Sequence, residues 1–97
     1  MYEVQETAVY AKWFASLRDR AAKARIVTRV LYLGDGNLGD AKSVGDGVHE
    51  LRLHFGPGYR IYFTRRGERI ILLLCGGEKG SQQRDIARAK QIESELE

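Results

Sequence analysis

Between Glu50 and Lys79 apolar and polar positions alternate twice and then merge into one apolar run, in the stretch ELRLHFGPGYRIYFTRRGERIILLLCGGEK. Leu51, Leu53 and Phe55 alternate with Arg52 and His54. After Gly56-Pro57-Gly58, Tyr59, Ile61 and Phe63 alternate with Arg60 and Tyr62. A tight turn at Arg66-Gly67 leads into the continuous run Ile70 to Cys75. Period-two alternation broken by glycine turns predicts an antiparallel meander of three strands, the last an inner strand covered on both faces.

The pattern also implies a register. If Phe55 pairs with Tyr59, then His54 lies opposite Arg60, Leu53 opposite Ile61 and Arg52 opposite Tyr62. One face is then apolar, and the other carries Arg52, His54, Arg60 and Tyr62. If Arg65 pairs with Glu68, then Ile70, Leu72 and Leu74 extend the apolar face, while Ile71, Leu73 and Cys75 fall with the cations. A slip of one residue would bury the arginines, so the register is expected to be firm. The third strand, ending at Cys75, brings Gly76-Gly77-Glu78-Lys79 beside the first turn. His54, Arg60 and Lys79 are therefore expected to converge at one end of one sheet face.

Upstream, Tyr2 to Gln5 is a short edge-strand candidate. Thr7 is suited to cap a first helix whose Tyr10, Trp13, Phe14 and Leu17 recur at helical spacing. Asp19 is suited to cap a second helix reaching Leu33, with Ala22, Ile26, Val30 and Leu33 on one stripe and Gly34 as its stop. The connector 34–47 is rich in glycine, and Ala41 to Val44 within it reads as a short strand. Its glycine spacing fits neither a Walker loop nor a dinucleotide fingerprint, and its Asp35, Asn37, Asp40 and Asp46 lack the order of a calcium loop. A last helix runs from an N-cap at Ser81 to about Leu96. Its stripe of Ile86, Ala89, Ile92 and Leu96 is weak, which fits loose packing or a face kept for a partner. The whole predicts an α+β class fold over residues 1–97 as one domain. Two N-terminal helices cover a mainly antiparallel four-stranded sheet, and a C-terminal helix follows.

Composition adds limits. The chain has 97 residues, 43% hydrophobic and 30% charged, which suffices for one modest core. Sixteen Lys and Arg against thirteen acidic residues give +3, too small an excess to mark a nucleic-acid binder by itself, so the placement of the cations decides. A lone cysteine excludes an internal disulfide, and Cys75 fits a small core hydrophobe. With no signal-peptide pattern and no apolar run of bilayer length, a cytoplasmic protein without a membrane partner is expected.

His49 and His54 have no nucleophile to form a triad with. Two histidines and one cysteine at these spacings make no zinc site, and no metal or cofactor is expected. What remains is the cationic face of Arg52, His54, Arg60 and Lys79, with Tyr62 among them. Arginine clamps phosphate and tyrosine stacks on bases, so such a face suits RNA. It also suits metal-free RNA cleavage, which needs a base for the 2′-hydroxyl, cations for the phosphorane and an acid for the leaving oxygen. A blander account fits the same residues: Arg52 and Arg60 as a solvated sheet face, His54 as incidental, Lys79 as a helix-approach lysine, and Tyr62 packed under the last helix.

The stretches WFASLRD, GNLGD, GDGVHELR, GPGYRIYF and LLLCGGEKGSQQRDI, taken together and in this order, resemble the RelE/ParE superfamily of bacterial toxin–antitoxin toxins. More narrowly, they resemble its "addiction module killer protein" branch, described as HigB-like or phage Gp49-like. The resemblance extends from about Trp13 to Ala89. It implies a compact antiparallel sheet with two N-terminal helices and a mobile C-terminal helix. It further implies a ribosome-dependent mRNA endoribonuclease held inactive by a cognate antitoxin, with operator DNA reached only through that antitoxin. Arg52 and Arg60 match strand positions where the group carries catalytic cations, and Lys79 matches the basic segment after the last strand. On that likeness Arg60 holds the scissile phosphate, Arg52 the phosphate or its neighbouring backbone, and Lys79 neutralises the leaving or attacking oxygen. Arg52, Tyr62 and Arg84 would bind RNA. RelE carries a tyrosine and HigB a histidine near the end of the chain. Here no Tyr or His follows Lys79, which leaves His54 or Lys79 to move protons. A ParE-like gyrase poison, or a silent homologue acting with its antitoxin as a DNA-bound repressor, are the alternatives.

Overall fold

The computed structural model describes residues 1–96. In chain order these form β1 (Glu3–Glu6), α1 (Ala8–Ser16), α2 (Arg20–Gly34), β2 (Ala41–Gly45), β3 (Val48–Arg52), β4 (Tyr59–Arg66), β5 (Ile70–Glu78), a single 3-10 turn (Lys79–Ser81) and α3 (Gln82–Ser94). The strands make one sheet in the order β1-β5-β4-β3-β2. All neighbours are antiparallel except β1, which runs parallel to β5. The expected α+β architecture is present with five strands instead of four, because the N-terminal edge candidate is a true member: Glu3–Glu6 register with 70–73. None of the described helices is long and apolar enough to cross a membrane.

Both helix caps form as their side-chain chemistry dictates. The Thr7 hydroxyl accepts the Tyr10 N–H at 3.0 Å and donates to the Leu74 carbonyl at 2.6 Å, so one residue both caps α1 and ties it to β5. The Asp19 carboxylate accepts the Ala22 N–H at 3.1 Å and starts α2. The stripes of these helices, Tyr10 on α1 and Ala22, Ile26 and Leu33 on α2, close over Leu51, Leu53, Ile61, Phe63, Ile71 and Leu73. A second core lies on the opposite sheet face. There Val48, Tyr62, Leu72, Leu74 and Cys75 pack with Ala89 of α3, flanked by Ile86, Ile92 and Leu96. The weak stripe of α3 is therefore enough to cover a sheet face.

The observed registers correct the expected ones in an instructive way. β3 and β4 pair Arg52 with Arg60 and Leu51 with Ile61, a shift of two from His54 opposite Arg60. An even shift moves positions along the strand but keeps every side chain on its face. It arises because residues 54–58 form the loop, closed by the Leu53 N–H on the Tyr59 carbonyl at 3.0 Å. Between β4 and β5, Arg65 pairs with Ile71 instead of Glu68, and an odd shift inverts faces. Ile71 and Leu73 thus join the α1–α2 core, and Leu72 and Leu74 go under α3. The register then slips by one between Tyr62 and Phe63, a bulge that returns Cys75 opposite Tyr62, on the face anticipated for it.

β5 does not stop at Cys75. It continues through Gly76 and Gly77 to Glu78, paired with Ile61, Arg60 and Tyr59. Glycine inside a strand marks a close approach. A β-carbon on Gly76 would overlap the Trp13 indole on one face, and one on Gly77 would overlap the Asp85 carboxylate on the other. The two glycines let α1 and α3 settle onto opposite sides of the same strand. Gly76→Ala and Gly77→Ala are each expected to cost about 1–3 kcal/mol through overpacking. Gly80→Ala, where a β-carbon meets nothing within 4 Å, should stay within about 0.5 kcal/mol. Urea midpoints of the three variants check this, and equal midpoints would contradict it.

Candidate functional site

At the end of the sheet by the start of α3, neighbouring strands set Asp40, Arg52, Arg60 and Gly77 side by side. The Arg52 N–H donates to the Asp40 carbonyl at 2.9 Å, Arg52 registers with Arg60, and Arg60 with Gly77. Two arginines facing each other across a strand pair repel, and such a pair persists only where other groups compensate. One row inward, the compensation is Glu50, a carboxylate with no solvent exposure. Its Oε2 accepts the Tyr62 hydroxyl at 3.0 Å and the Gln82 amide at 2.8 Å, and its Oε1 lies 3.5 Å from Arg52 Nε. That last contact is an ion pair without hydrogen-bond geometry, so both Glu50 Oε1 and Arg52 Nε stay without a hydrogen bond.

Arg60 is 5% exposed. Its Nη1 donates to the Gly58 and Tyr59 carbonyls at 3.1 and 3.2 Å, while its buried Nε has no hydrogen-bond partner among the described residues. Lys79 arrives at the same turn, its N–H donating to the Gly58 carbonyl at 2.9 Å. Gly58, with φ 78°, is glycine for a reason visible here: a β-carbon would sit 3.1 Å from Lys79 Cβ and 3.5 Å from Arg60 Nη1. The structure therefore brings Arg52, Arg60 and Lys79 together at one end of one face.

The other predicted residues lie elsewhere or in other company. His54 is not opposite Arg60. It sits exposed in the loop, its Nε2 2.5 Å from Asp40 Oδ2. That hydrogen bond, ahead of the nearby Arg52 and Arg60 charges, holds the Asp40 carboxyl below its ordinary value. Tyr62, expected to stack on a base, is fully buried beneath α3 and offers no ring face to solvent. Burial, then the adjacent Glu50 charge, drives its phenol pKa upward. Arg84 is exposed on the first turn of α3, with Nε 3.8 Å from Asp85 Oδ1. Asp85 is buried and accepts the Ser81 hydroxyl at 2.5 Å, so Ser81 serves that carboxylate and not the helix amides. Cys75, beside Asp85, has its thiol pKa pushed up to about 12, first by burial. Among the described residues no cluster of His, Cys, Asp and Glu could hold a metal ion.

Glu50, Asp40 and Gln82 are site residues that sequence reasoning missed. Glu50 shares the parity of Arg52, so its place on the cationic face was legible. Its burial was not, because it depends on α3 lying above it.

Fold and site together define a small α+β protein with a cationic row at one end of its sheet, Arg52 and Lys79 reaching solvent and Arg60 buried between them. The sequence matches the family described as Phage derived protein Gp49-like (DUF891) over residues 12–96, and the chain belongs to that family. The family is related to the toxins of toxin–antitoxin modules. A protein of Haemophilus influenzae, named only as uncharacterized, is 42% identical over 94 residues, covering 97% of this chain and 95% of its own.

Removing the Glu50 carboxylate strands the Tyr62 hydroxyl and the Gln82 amide. Glu50→Ala is expected to cost about 2–5 kcal/mol, and Tyr62→Phe, which loses one donor, about 1 kcal/mol, both read from urea unfolding. An unchanged midpoint for Glu50→Ala would contradict the arrangement. Asp40 gives a pH signature: a carboxyl depressed in the folded state adds stability above its ordinary value of 3.8, lost as pH falls through the depressed one. An NMR titration should find Asp40 low, and His54→Ala should raise it toward the ordinary value.

Proposed function

We propose that this protein is the toxin of a toxin–antitoxin module, that it cleaves mRNA on the ribosome, and that a cognate antitoxin holds it inactive in the cytoplasm. The observation that carries this reading is the cross-strand pair Arg52–Arg60 with Lys79 tied to the same turn. A row of cations kept adjacent against their own repulsion is suited to an anion carrying more than one charge, and the scissile phosphate becomes one as the phosphorane forms. Arg52 keeps 28% of its side chain exposed and is the member of the pair that a phosphate can meet, while the buried Arg60 acts on it through its charge.

The reaction balances without redox change. The 2′-oxygen bonds to phosphorus as its proton leaves to a base, and the bond from phosphorus to the 5′-oxygen breaks as that oxygen gains a proton. The products are a 2′,3′-cyclic phosphate and a 5′-hydroxyl end. Arg60 and Arg52 stabilise the charge, Lys79 neutralises an oxygen, and His54 or Lys79 moves the proton. Arg84, exposed on the first turn of α3, contacts the RNA backbone. Tyr62 supports the row from beneath through Glu50. The absence of Tyr or His after Lys79 favours a second reading, a ParE-like gyrase inhibitor.

Brief induction in bacteria, with 5′-hydroxyl transcript ends mapped, tests the choice. New ends confined to translated frames, and lost with growth arrest in Arg60→Ala, are expected. Arrest with intact transcripts and a DNA-damage response would select gyrase. Toxicity retained in Arg60→Ala would overturn the site.

A further inference from the structure

A groove of about 520 Å³ opens between α2 and the end of β3, lined in part by Arg25, Arg29, Asp40, Arg52, His54 and Phe55. Its size falls within the roughly 300–1,000 Å³ of small-ligand sites. It is not a solvated gap between charged side chains, because its walls are built. The Arg25 guanidinium lies 3.9 Å from the centroid of the Phe55 ring, and Phe55 leans on the buried Tyr59 at 5.7 Å between ring centres. A guanidinium laid on a ring supported from below is a preformed flat platform, the kind of surface on which single-stranded bases stack.

Arg29 approaches from the next turn of α2, and its Nη2 donates to the Leu38 carbonyl at 3.3 Å. It reaches there because residue 39 is glycine, with φ 59°; a β-carbon at that position would overlap the guanidinium. Asp40 adds an ionised acceptor suited to the N–H groups of a base edge, held in place by His54. Arg52 lines the end of the groove, though its guanidinium turns to the opposite sheet face beside Glu50, so the groove ends next to the row at the sheet's edge.

We infer that this groove is a nucleotide subsite, in which one single-stranded RNA nucleotide stacks its base on the Arg25–Phe55 platform with its phosphate toward Arg29 and the sheet edge at Arg52. The inference rests on the reading of the Arg52–Arg60 row as the cleavage site, and it places this nucleotide next to the cut bond. An acidic peptide would satisfy the cations but leave the flat platform unused. The groove gives the protein a contact to a base, where the row offers contacts only to phosphate, so sequence preference at the cut would arise here.

Titration of the intact protein with 5′-AMP and 5′-GMP, followed by NMR, reads the subsite without ribosomes or cleavage. Shifts are expected at the Arg25 side-chain N–H and the Phe55 ring. Arg25→Gln and Arg25→Lys should each weaken binding on the order of tenfold, the scale of one lost base stack, since lysine keeps the charge without the plane. Arg69→Gln, which removes the same charge at the far end of the sheet, should bind as wild type does. A 2′-O-methyl RNA hexamer should displace the nucleotide. No shifts at millimolar nucleotide, shifts confined to Arg60 and Lys79, or full binding by Arg25→Lys would overturn the platform. Failure of the hexamer to compete would overturn its assignment to RNA. Cut transcripts with a silent groove would remove the subsite alone. A filled groove with intact transcripts would remove the ribonuclease reading and leave the nucleotide site standing.

Discussion

The arrangement turns on one buried charge. Glu50 has no solvent exposure, and a carboxylate taken out of water costs several kcal/mol unless its lone pairs are used. Here β4 supplies the Tyr62 hydroxyl, α3 the Gln82 amide, and Arg52 on Glu50's own strand a guanidinium. Three elements are thereby held to one oxygen pair. Because Gln82 lies in the first turn of α3, the helix cannot slide along the sheet without uncovering that charge. Asp85 of the same first turn packs on Gly77, the register partner of Arg60, so α3 reaches the row at its β5 end, with Arg60 buried and Arg52 partly exposed. Buried ion pairs are poor evidence for stability, but fixing the position of one element on another is a role they fill well.

That position matters because the row itself is electrostatically uneasy. Arg52 and Arg60 are register partners, and the loop carbonyls of Gly58 and Tyr59 absorb only part of the Arg60 donor capacity. Asp40 contributes a negative charge from β2, and His54 bonds to it. The balance leaves a positive row whose solvent-facing part is Arg52, beside which an arriving anion can settle. A surface built only for solubility would spread such charges apart.

Most of the framework was legible from the chain. The caps at Thr7 and Asp19 and the helical stripes are local signals and appear where expected, whereas the strand read from Leu51 to Phe55 lies earlier, at Val48–Arg52. The faces of β5 were not legible, because a continuous apolar run carries no parity and the bulge beside Tyr62 leaves no mark in composition. Gly76-Gly77 read as the end of a strand because glycine usually signals a turn. Its cause here is tertiary, the indole of Trp13 and the carboxylate of Asp85 pressing from either side. The cationic residues were named from alternation, and the even register error spared their faces. His54 was misplaced along the strand, since the expected three-residue turn is in fact the longer loop 54–58. Glu50 lay in plain sight beside Arg52. Its importance depended on α3, whose stripe was too weak to show what it covers.

The order of groups across the sheet bears on how the proposed cleavage could proceed with His54 and Lys79 as its proton carriers. In-line displacement needs the attacking and leaving oxygens on opposite sides of phosphorus, so base and acid must flank the charge-stabilising groups. His54 stands on the β2 side, bonded to Asp40. Lys79 stands on the β5 side, its backbone fixed to Gly58. Arg52 and Arg60 lie between them. The hydrogen bond to Asp40 orients the imidazole, and a base must be oriented toward the proton it takes. Lys79, exposed at that turn, is suited to the opposite flank, where negative charge builds on the departing oxygen. The nucleotide groove also lies on the His54 side. A base seated there would bring its own ribose toward the imidazole, which assigns the groove to the nucleotide that supplies the attacking 2′-hydroxyl.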